Sequence, residues 1–197
     1  MDMPLDAMND QTDEALLAAF AKGEPAAARA LTARLAPRVY AHAARLLGDT
    51  TEAEDVAQEA MLRLWRIAPD WRSGEAQVTT WLYRVTANLC TDRLRRRSRA
   101  AVDLASVPEP ADDAASATLR LQDKARGAAL QEALMRLPER QRQAVVLRHI
   151  EGLTNPEIAR IMDIGPRAVE SLTARGKRGL ELLLSGRREE LGFDDDD

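Results

Sequence analysis

The chain has 197 residues and a net charge of −4. Its composition, 45% hydrophobic and 30% charged, is that of a soluble globular protein with room for one or two domains. Ala, Leu, Arg and Glu dominate and β-branched runs are absent, which predicts an all-α fold. No apolar run approaches the roughly 20 residues that a membrane span needs, and the acidic N-terminus is unlike a secretory signal. The single cysteine, Cys90, excludes an intramolecular disulfide, so we expect a protein of the reducing cytoplasm.

Four helices are predicted in the first part of the chain, residues 13–99, after an N-terminal segment of residues 1–12 that we expect to be disordered. Thr51 and Glu54 have the spacing of a capping box and open the third helix, and Pro37 is a point at which the second helix can bend. Apolar residues at intervals of three or four along the third and fourth helices predict a core. The four helices are expected at residues 13–21, 25–47, 51–67 and 80–97.

A linker is predicted after the first domain, because residues 102–118 contain two prolines, several small residues and acids without helical periodicity. We therefore expect two small helical domains joined by a flexible, acidic linker. The predicted order is a first domain at residues 13–99, a linker at 100–118, a second domain at 119–185 and an acidic, solvated tail at 186–197.

The second domain begins with helices expected at residues 119–137 and 139–150. Residues 153–176 then predict a helix-turn-helix, a unit whose second helix fits the major groove of DNA. Thr154 and Glu157 form another capping box, and Asp163 stands in the turn, where Asp tolerates left-handed geometry. Gly165 is an adequate N-cap for the second helix, which continues to about Leu184. The residues expected to be buried between the two helices are Ile158, Ala159, Met162, Ile164, Val169 and Leu172.

Charge is segregated along the chain. Residues 84–99 hold six arginines against one acid, a local charge of about +5, whereas residues 101–123 hold five acids against one arginine, about −4. Such segregation suggests local phosphate contacts without indiscriminate coating of DNA. Two helical domains on a tether can contact two separated DNA elements at once, since the tether raises the effective concentration of the second contact.

Three stretches of the sequence carry a combined signature. The first domain reads AEDVAQEAMLRLW at residues 53–65 and TWLYRVTANLCTDRLRRR at residues 80–97, and the second reads LPERQRQAVVLRHIEGLTNPEIA at residues 137–159. Together, over about residues 13–184, they resemble the extracytoplasmic-function (ECF) sigma factors of bacterial RNA polymerase. The resemblance implies that the first domain binds the coiled coil of the polymerase largest subunit and opens the −10 element, and that the second domain reads the −35 element as duplex DNA.

The third helix carries the residues that the resemblance assigns to polymerase binding. Asp55, Gln58 and Glu59 fall at i, i+3 and i+4 and so share one helix face, with Arg63 one turn further on. By itself such a triplet is more typical of a solvated polar face. Its match to the D-x-x-Q-E pattern of the family instead predicts contact with a basic coiled coil.

For promoter opening, the resemblance implies a pocket for a flipped base, which needs an aromatic or apolar wall and polar groups for the base edge. Trp71, Asn88 and the loop at residues 72–80 match the family positions that form this pocket, in a loop about one residue longer than the usual pattern. Trp65 and Trp81 are expected to pack in the core. The arginines expected to bind phosphates are Arg84, Arg93, Arg95, Arg96 and Arg97.

The second helix of the helix-turn-helix carries the residues expected to read duplex DNA. Glu170 stands where the family frequently has a basic residue, and its carboxylate can accept a hydrogen bond from cytosine N4 while repelling phosphates. The candidates for base-edge contacts are Arg167, Glu170, Ser171 and Ala174, and the candidates for phosphate contacts are Arg175, Lys177 and Arg178.

The alternative function is a helix-turn-helix regulator that binds duplex operator DNA as a free dimer, because residues 152–162 also resemble the response-regulator type of helix-turn-helix. The D-x-x-Q-E and W-L-Y-R-x-x-x-N helices favour the sigma factor. We expect no enzyme activity, cofactor or metal, since no phosphate loop, metal-ligand pair or Ser/His/Asp arrangement is present. His42 and His149 are expected to be ordinary helix residues and Cys90 a packed thiol. An anti-sigma protein is a further partner that the resemblance implies.

Overall fold

The computed structural model describes residues 10–72, 74, 76–103 and 118–185, and all regular structure within these ranges is helical, which confirms the all-α fold. None of the described helices is long and apolar enough to cross a membrane. Two short turns of other helical types occur, a 3-10 turn at Ala68–Asp70 and a π turn at Val146–Ile150. The α-helices are α1 Asp13–Ala21, α2 Pro25–Leu47, α3 Thr50–Ile67, α4 Val78–Asp103, α5 Thr118–Arg136, α6 Glu139–Val145, α7 Asn155–Met162 and α8 Pro166–Ser185.

The start of α3 differs from the prediction. The side chain of Asp49 accepts a hydrogen bond from the backbone N–H of Glu52 at 2.9 Å and so provides the N-cap, with Thr50 as the first helical residue. The predicted capping box of Thr51 and Glu54 is therefore wrong. The carboxylate of Asp49, two residues before Thr51, bonds the helix end instead.

α2 is continuous through Pro37, and α4 is longer than predicted. α2 passes without interruption through Pro37, which is exposed. α4 extends to Asp103, beyond the expected end at residue 97, so it includes the first residues of the predicted linker. The rest of that linker at residues 104–117, the N-terminal residues 1–9 and the acidic tail at residues 186–197 lie outside the described residues.

α7 and α8 form the predicted helix-turn-helix. The carboxylate of Glu157 accepts a hydrogen bond from the backbone N–H of Thr154 at 2.8 Å, as the capping box predicts. Asp163 ends α7 in the left-handed region with a φ of 53°, and the carbonyl of Gly165 accepts from the N–H of Ala168 at the start of α8. The buried residues of this unit are Ile158, Ala159, Ile161, Met162 and Val169, with Leu153, Ile164 and Leu172 partly buried.

Three buried clusters hold the helices together. One lies within α1 to α4, and another joins the helix-turn-helix to Tyr83 of α4. A further cluster is shared by the two halves of the chain, and the sequence did not predict this contact. The domain boundaries near residues 99 and 119 remain a prediction. The shared cluster includes Ala43, Leu46, Leu47, Ala53, Val56, Ala87 and Cys90 from the first half and Leu134, Leu137, Val145 and Val146 from the second.

Candidate functional site

The outer face of α3 presents the four residues that the sequence assigns to polymerase binding. Asp55, Gln58 and Arg63 are exposed and Glu59 is half-buried. The Nε of Arg63 donates to Glu59 Oε1 at 2.8 Å, and this hydrogen bond holds the pKa of Glu59 below its usual range. The face therefore carries two carboxylates, and that of Glu59 is already paired along the helix.

The same face contains an apolar residue that sequence reasoning missed. Leu62 is 49% exposed, one turn after Gln58 and two turns after Asp55. The sequence contained a signal for this exposure. Leu62 lies at helical spacing from the polar residues Asp55 and Gln58, whereas the core residues of α3, such as Ala60 and Leu64, occupy a different face. A single exposed leucine is ordinary on a protein surface, and Leu62 is of interest only because it lies beside Asp55 and Gln58.

The outer face of α4 carries Arg84 and Asn88, both exposed and one turn apart. Trp71 is half-buried and packs edge-on against Trp81, with 6.0 Å between the ring centroids. The indole N–H of Trp71 is buried and has no hydrogen-bond partner among the described residues. Trp65 and Trp81 are partly buried against the first core, as expected.

Three arginines of α4 bind carboxylates of the protein itself. Arg97 makes ion pairs with Asp49 at 2.8 Å and Glu52 at 2.9 Å, and so ties α4 to the start of α3. The other two pairs are Arg93 with Asp55 at 3.4 Å and Arg95 with Asp92 at 2.9 Å. Arg84 and Arg96 are exposed and have no carboxylate within ion-pair distance in the described part of the chain.

The outer face of α8 presents all seven residues predicted to contact duplex DNA. Arg167, Glu170, Ser171, Ala174, Arg175, Lys177 and Arg178 are exposed. The amide of Asn155 at the start of α7 donates to Glu170 Oε1 at 3.4 Å, so this carboxylate has a partner across the turn.

The inner face of α8 approaches α6 closely. A Cβ at Gly176 would lie 2.5 Å from Val145 Cγ2 and 3.1 Å from the carbonyl oxygen of Gln141. Only glycine fits this crossing without a shift of backbone or side chain. The close packing fixes how α8 turns its basic outer face away from the rest of the protein.

A buried polar cluster lies where the two halves meet. The hydroxyl of Tyr83 donates to the carboxylate of Glu151, which also lies 3.5 Å from His42 Nδ1 and 3.8 Å from Arg45. Burial opposes ionisation of Glu151, but the nearby imidazole of His42 and the hydrogen bond from Tyr83 outweigh it and lower its pKa. Burial and the neighbouring carboxylate raise the pKa of Tyr83. His42 is thus a fully buried member of an interface and not an ordinary helix residue.

Cys90 is a packed thiol, as predicted. It is buried in the shared cluster, and this burial raises its pKa to about 12. A thiol of that pKa is almost entirely protonated at neutral pH, which argues against a redox-sensing role. Among the described residues, no group of three or more His, Cys, Asp or Glu side chains is placed to hold a metal ion.

Two protein-family models match this chain, one in each half. The Sigma-70 region 2 model matches residues 31–100, and the Sigma-70, region 4 model matches residues 127–180. The first match contains the outer faces of α3 and α4, and the second contains the helix-turn-helix and most of α8.

Two of the curated relatives are named as ECF RNA polymerase sigma factors. The ECF RNA polymerase sigma factor SigE of Mycolicibacterium smegmatis is 37% identical over 155 residues, covering 76% of this chain and 58% of SigE. The ECF RNA polymerase sigma factor SigM of Mycobacterium tuberculosis is 35% identical over 177 residues, covering 89% of this chain and 86% of SigM. The chain thus spans a little over half of the first relative and most of the second.

Two solved structures share the fold. The sigma factor RpoE in complex with the anti-sigma factor NepR from Bartonella quintana aligns with a TM-score of 0.64 and 24% identity, over 78% of this chain and 94% of RpoE. CnrH in complex with the cytosolic domain of CnrY aligns with a TM-score of 0.64 and 27% identity, over 89% of this chain and 99% of CnrH. The identity to SigM and the two region matches together show that the chain belongs to the ECF sigma factors, regulatory subunits of RNA polymerase that direct it to promoters.

Proposed function

We propose that this chain is an alternative sigma factor that binds core RNA polymerase, directs it to specific promoters and helps to open the −10 region. The observation that carries the proposal is the arrangement of three solvent-facing helix surfaces on one chain. These are an acidic and amide face on α3, a basic face with Asn88 on α4, and a basic face on α8. A regulator that binds operator DNA alone has no use for the first two.

The α3 face is proposed to bind the polymerase. Carboxylates at Asp55 and Glu59 complement a basic coiled coil and steer the encounter, while Gln58 donates and accepts hydrogen bonds. Leu62 adds exposed apolar area to the same face. Arg63 is proposed to hold Glu59 in place through their hydrogen bond.

The α4 face is proposed to hold the unpaired −10 strand. Trp71 supplies an aromatic wall against Trp81, and Asn88 supplies hydrogen-bonding groups for a base edge. Arg84 and Arg96 are the phosphate contacts that the structure leaves most available. We assign Arg93, Arg95 and Arg97 a smaller share of phosphate binding, because each is paired with a carboxylate.

The α8 face is proposed to read the −35 element in the major groove. Arg167 lies in the first turn of α8, where the N-terminal residues of a recognition helix contact base edges. Glu170, Ser171 and Ala174 follow on the same exposed face, and the further phosphate contacts are proposed for Arg175, Lys177 and Arg178.

The proposed partners are core polymerase, promoter DNA and an anti-sigma protein, the last because the structure of RpoE was determined with the anti-sigma factor NepR. We place the protein in the cytoplasm, where polymerase acts. No cofactor is needed for this function.

Transcription with purified core polymerase tests the proposal. Core polymerase, this protein and fragmented genomic DNA are combined and the transcript starts are sequenced. We expect discrete starts that require the protein and share paired upstream elements. Absence of such starts, together with protection of duplex sites by the protein alone, would favour the regulator.

A variant of the α3 face sharpens the test. The double substitution Gln58→Ala and Leu62→Ala is expected to weaken binding to core polymerase about thirtyfold, since interface residues of this kind each contribute about 1 kcal/mol. Fluorescence anisotropy of the labelled protein measures the affinity. Arg29→Ala, an exposed change on α2, is the matched control and should bind as the wild type does.

A further inference from the structure

α1 packs against the start of the segment that leads from α3 to α4. Leu16 and Leu17 are fully buried in the first core. The ring of Phe20 lies 4.7 Å from that of Trp65 near the end of α3, and α1 also contacts the 3-10 turn Ala68–Asp70. Trp71 follows this turn directly, so α1 fixes the point from which the proposed base pocket begins.

α1 also bonds to the far end of the same segment. The backbone N–H of Val78, the first residue of α4, donates to Glu14 Oε1 at 3.0 Å. The first N–H groups of a helix have no partner within the helix, and they are usually capped by a side chain from the preceding turn. Here the cap comes from a residue 64 positions earlier in the chain. A carboxylate in this place also suits the positive end of the α4 dipole.

The first turn of α1, which carries Glu14, is itself held by its surroundings. Arg34 of α2 donates to Asp13 Oδ1 at 2.8 Å and to the carbonyl oxygen of Gln11 at 2.8 Å, which anchors the first turn of α1 on α2. Thr12 accepts from the N–H of Ala15 and caps α1. The contact from Glu14 to α4 is therefore one end of a connected series of bonds and not an isolated surface contact.

We propose that Glu14 is a positioning residue for recognition of the unpaired −10 bases, and that α1 fixes both ends of the segment that carries Trp71. The cap holds the first turn of α4, which presents Trp81 against Trp71 and leads along the same helix to Asn88. The inference rests on the proposed function, because it assigns Glu14 a role in the base pocket proposed above.

Two variants separate the reach of the side chain from its charge. Glu14→Asp keeps the charge but shortens the side chain by one methylene and withdraws the carboxylate from Val78. Glu14→Gln keeps the reach and an acceptor oxygen but removes the charge. Glu24→Gln, at an exposed residue that makes no side-chain cap bond, is the matched control.

The readout is base discrimination by the reconstituted holoenzyme. Binding is measured on fork DNA with an unpaired −10 strand, carrying either the motif base found by transcript mapping or a substituted base. We expect Glu14→Asp to lower the discrimination ratio about fivefold, because the first turn of α4 loses its cap. We expect Glu14→Gln and Glu24→Gln to stay within about twofold of the wild type, and core polymerase affinity to be unchanged in all three.

Two outcomes overturn the inference while the proposed function stands. One is an unchanged discrimination ratio in Glu14→Asp. The other is a loss of affinity for core polymerase and for both DNAs in equal proportion, which marks a purely structural role. A wild-type holoenzyme that does not discriminate between the two bases would instead refute the proposed −10 function itself. The two failures are thus distinguishable in one experiment.

Discussion

The two long helices that carry the candidate DNA surfaces hold their basic residues in different ways. On α4, Arg93, Arg95 and Arg97 each bind a carboxylate of the protein. On α8, Arg167 and Arg178 are exposed and have no carboxylate within ion-pair distance in the described part of the chain. The number of arginines on a helix is therefore a poor measure of the phosphate charge that it can neutralise.

The inner faces of the same helices explain the difference. α4 lies between both halves of the protein, with Tyr83 in the helix-turn-helix cluster and Cys90 in the shared cluster. Its charged residues lie next to α3, whose own acids line the polymerase face. The inner face of α8 packs on α5, α6 and α7, with a close approach to α6 at Gly176, and its outer face is exposed.

Arg93 and Arg97 of α4 bind carboxylates at Asp55 and Asp49, outside their own helix. Pairs within one helix occur on both, Arg95 with Asp92 on α4 and Lys177 with Glu181 on α8. The difference between the helices therefore lies in the pairs that α4 makes with its neighbour.

The largest effect is predicted at Cys90, which reports whether α4 is enclosed in solution. A pKa raised from 9.0 to about 12 lowers the thiolate fraction near pH 8 about a thousandfold. Ellman's reagent at pH 8 should therefore react with the native protein at least that much more slowly than with the unfolded protein in guanidinium, which serves as the control. Labelling of the native protein at the rate of a free thiol would show the two halves apart and remove the contrast between α4 and α8.

A smaller effect is predicted for Arg97→Ala. The substitution removes ion pairs to Asp49 and Glu52, which are partly exposed, so we expect the free energy of unfolding to fall by about 1 kcal/mol. Arg84→Ala, on the same helix but without a carboxylate partner, should change it by less than about 0.5 kcal/mol. Urea unfolding of both variants measures the difference. Equal stability of the two variants would show that the ion pairs of Arg97 contribute little, and Arg97 would then be as available for phosphate binding as Arg84.

Apart from the cap of α3, local patterns were sufficient where one stretch of sequence determines the structure. The capping box at Thr154 and Glu157, the left-handed Asp163 and the buried residues between α7 and α8 depend on neighbours within a few positions. For the same reason the polar face of α3 was predictable, since helix periodicity alone places Asp55 and Gln58 together.

The remaining features depend on residues far apart in the chain. Glu14 caps α4 from 64 positions away, and Arg97 binds Asp49 across 48 positions. Cys90 meets Val146 only because the two halves pack together. Periodicity and capping patterns contain no information about such pairs, so neither the shared core nor the paired state of the α4 arginines followed from the sequence.

The smallest effect is predicted in the salt dependence of promoter binding, and it compares the two helices most directly. Each phosphate contact contributes about 0.9 to the slope of log affinity against log salt concentration. Arg178→Ala should therefore lower the slope by about 1. Arg95→Ala should lower it by less than half of that, because Arg95 is already paired with Asp92. Filter binding of the holoenzyme at several salt concentrations measures the slopes, with Lys22→Ala at the exposed end of α1 as the control.

Equal reductions for Arg178→Ala and Arg95→Ala would mean that the ion pair of α4 opens on DNA and that its cation is as available as those of α8. A slope that changes only for Arg178→Ala would mean that the pair persists in the complex. In that case Arg95 contributes to the shape of the −10 surface, and single-strand binding by α4 depends on Arg84, Arg96 and stacking on Trp71. The two substitutions then change the salt dependence of binding differently because Asp92, one turn before Arg95, already neutralises that arginine.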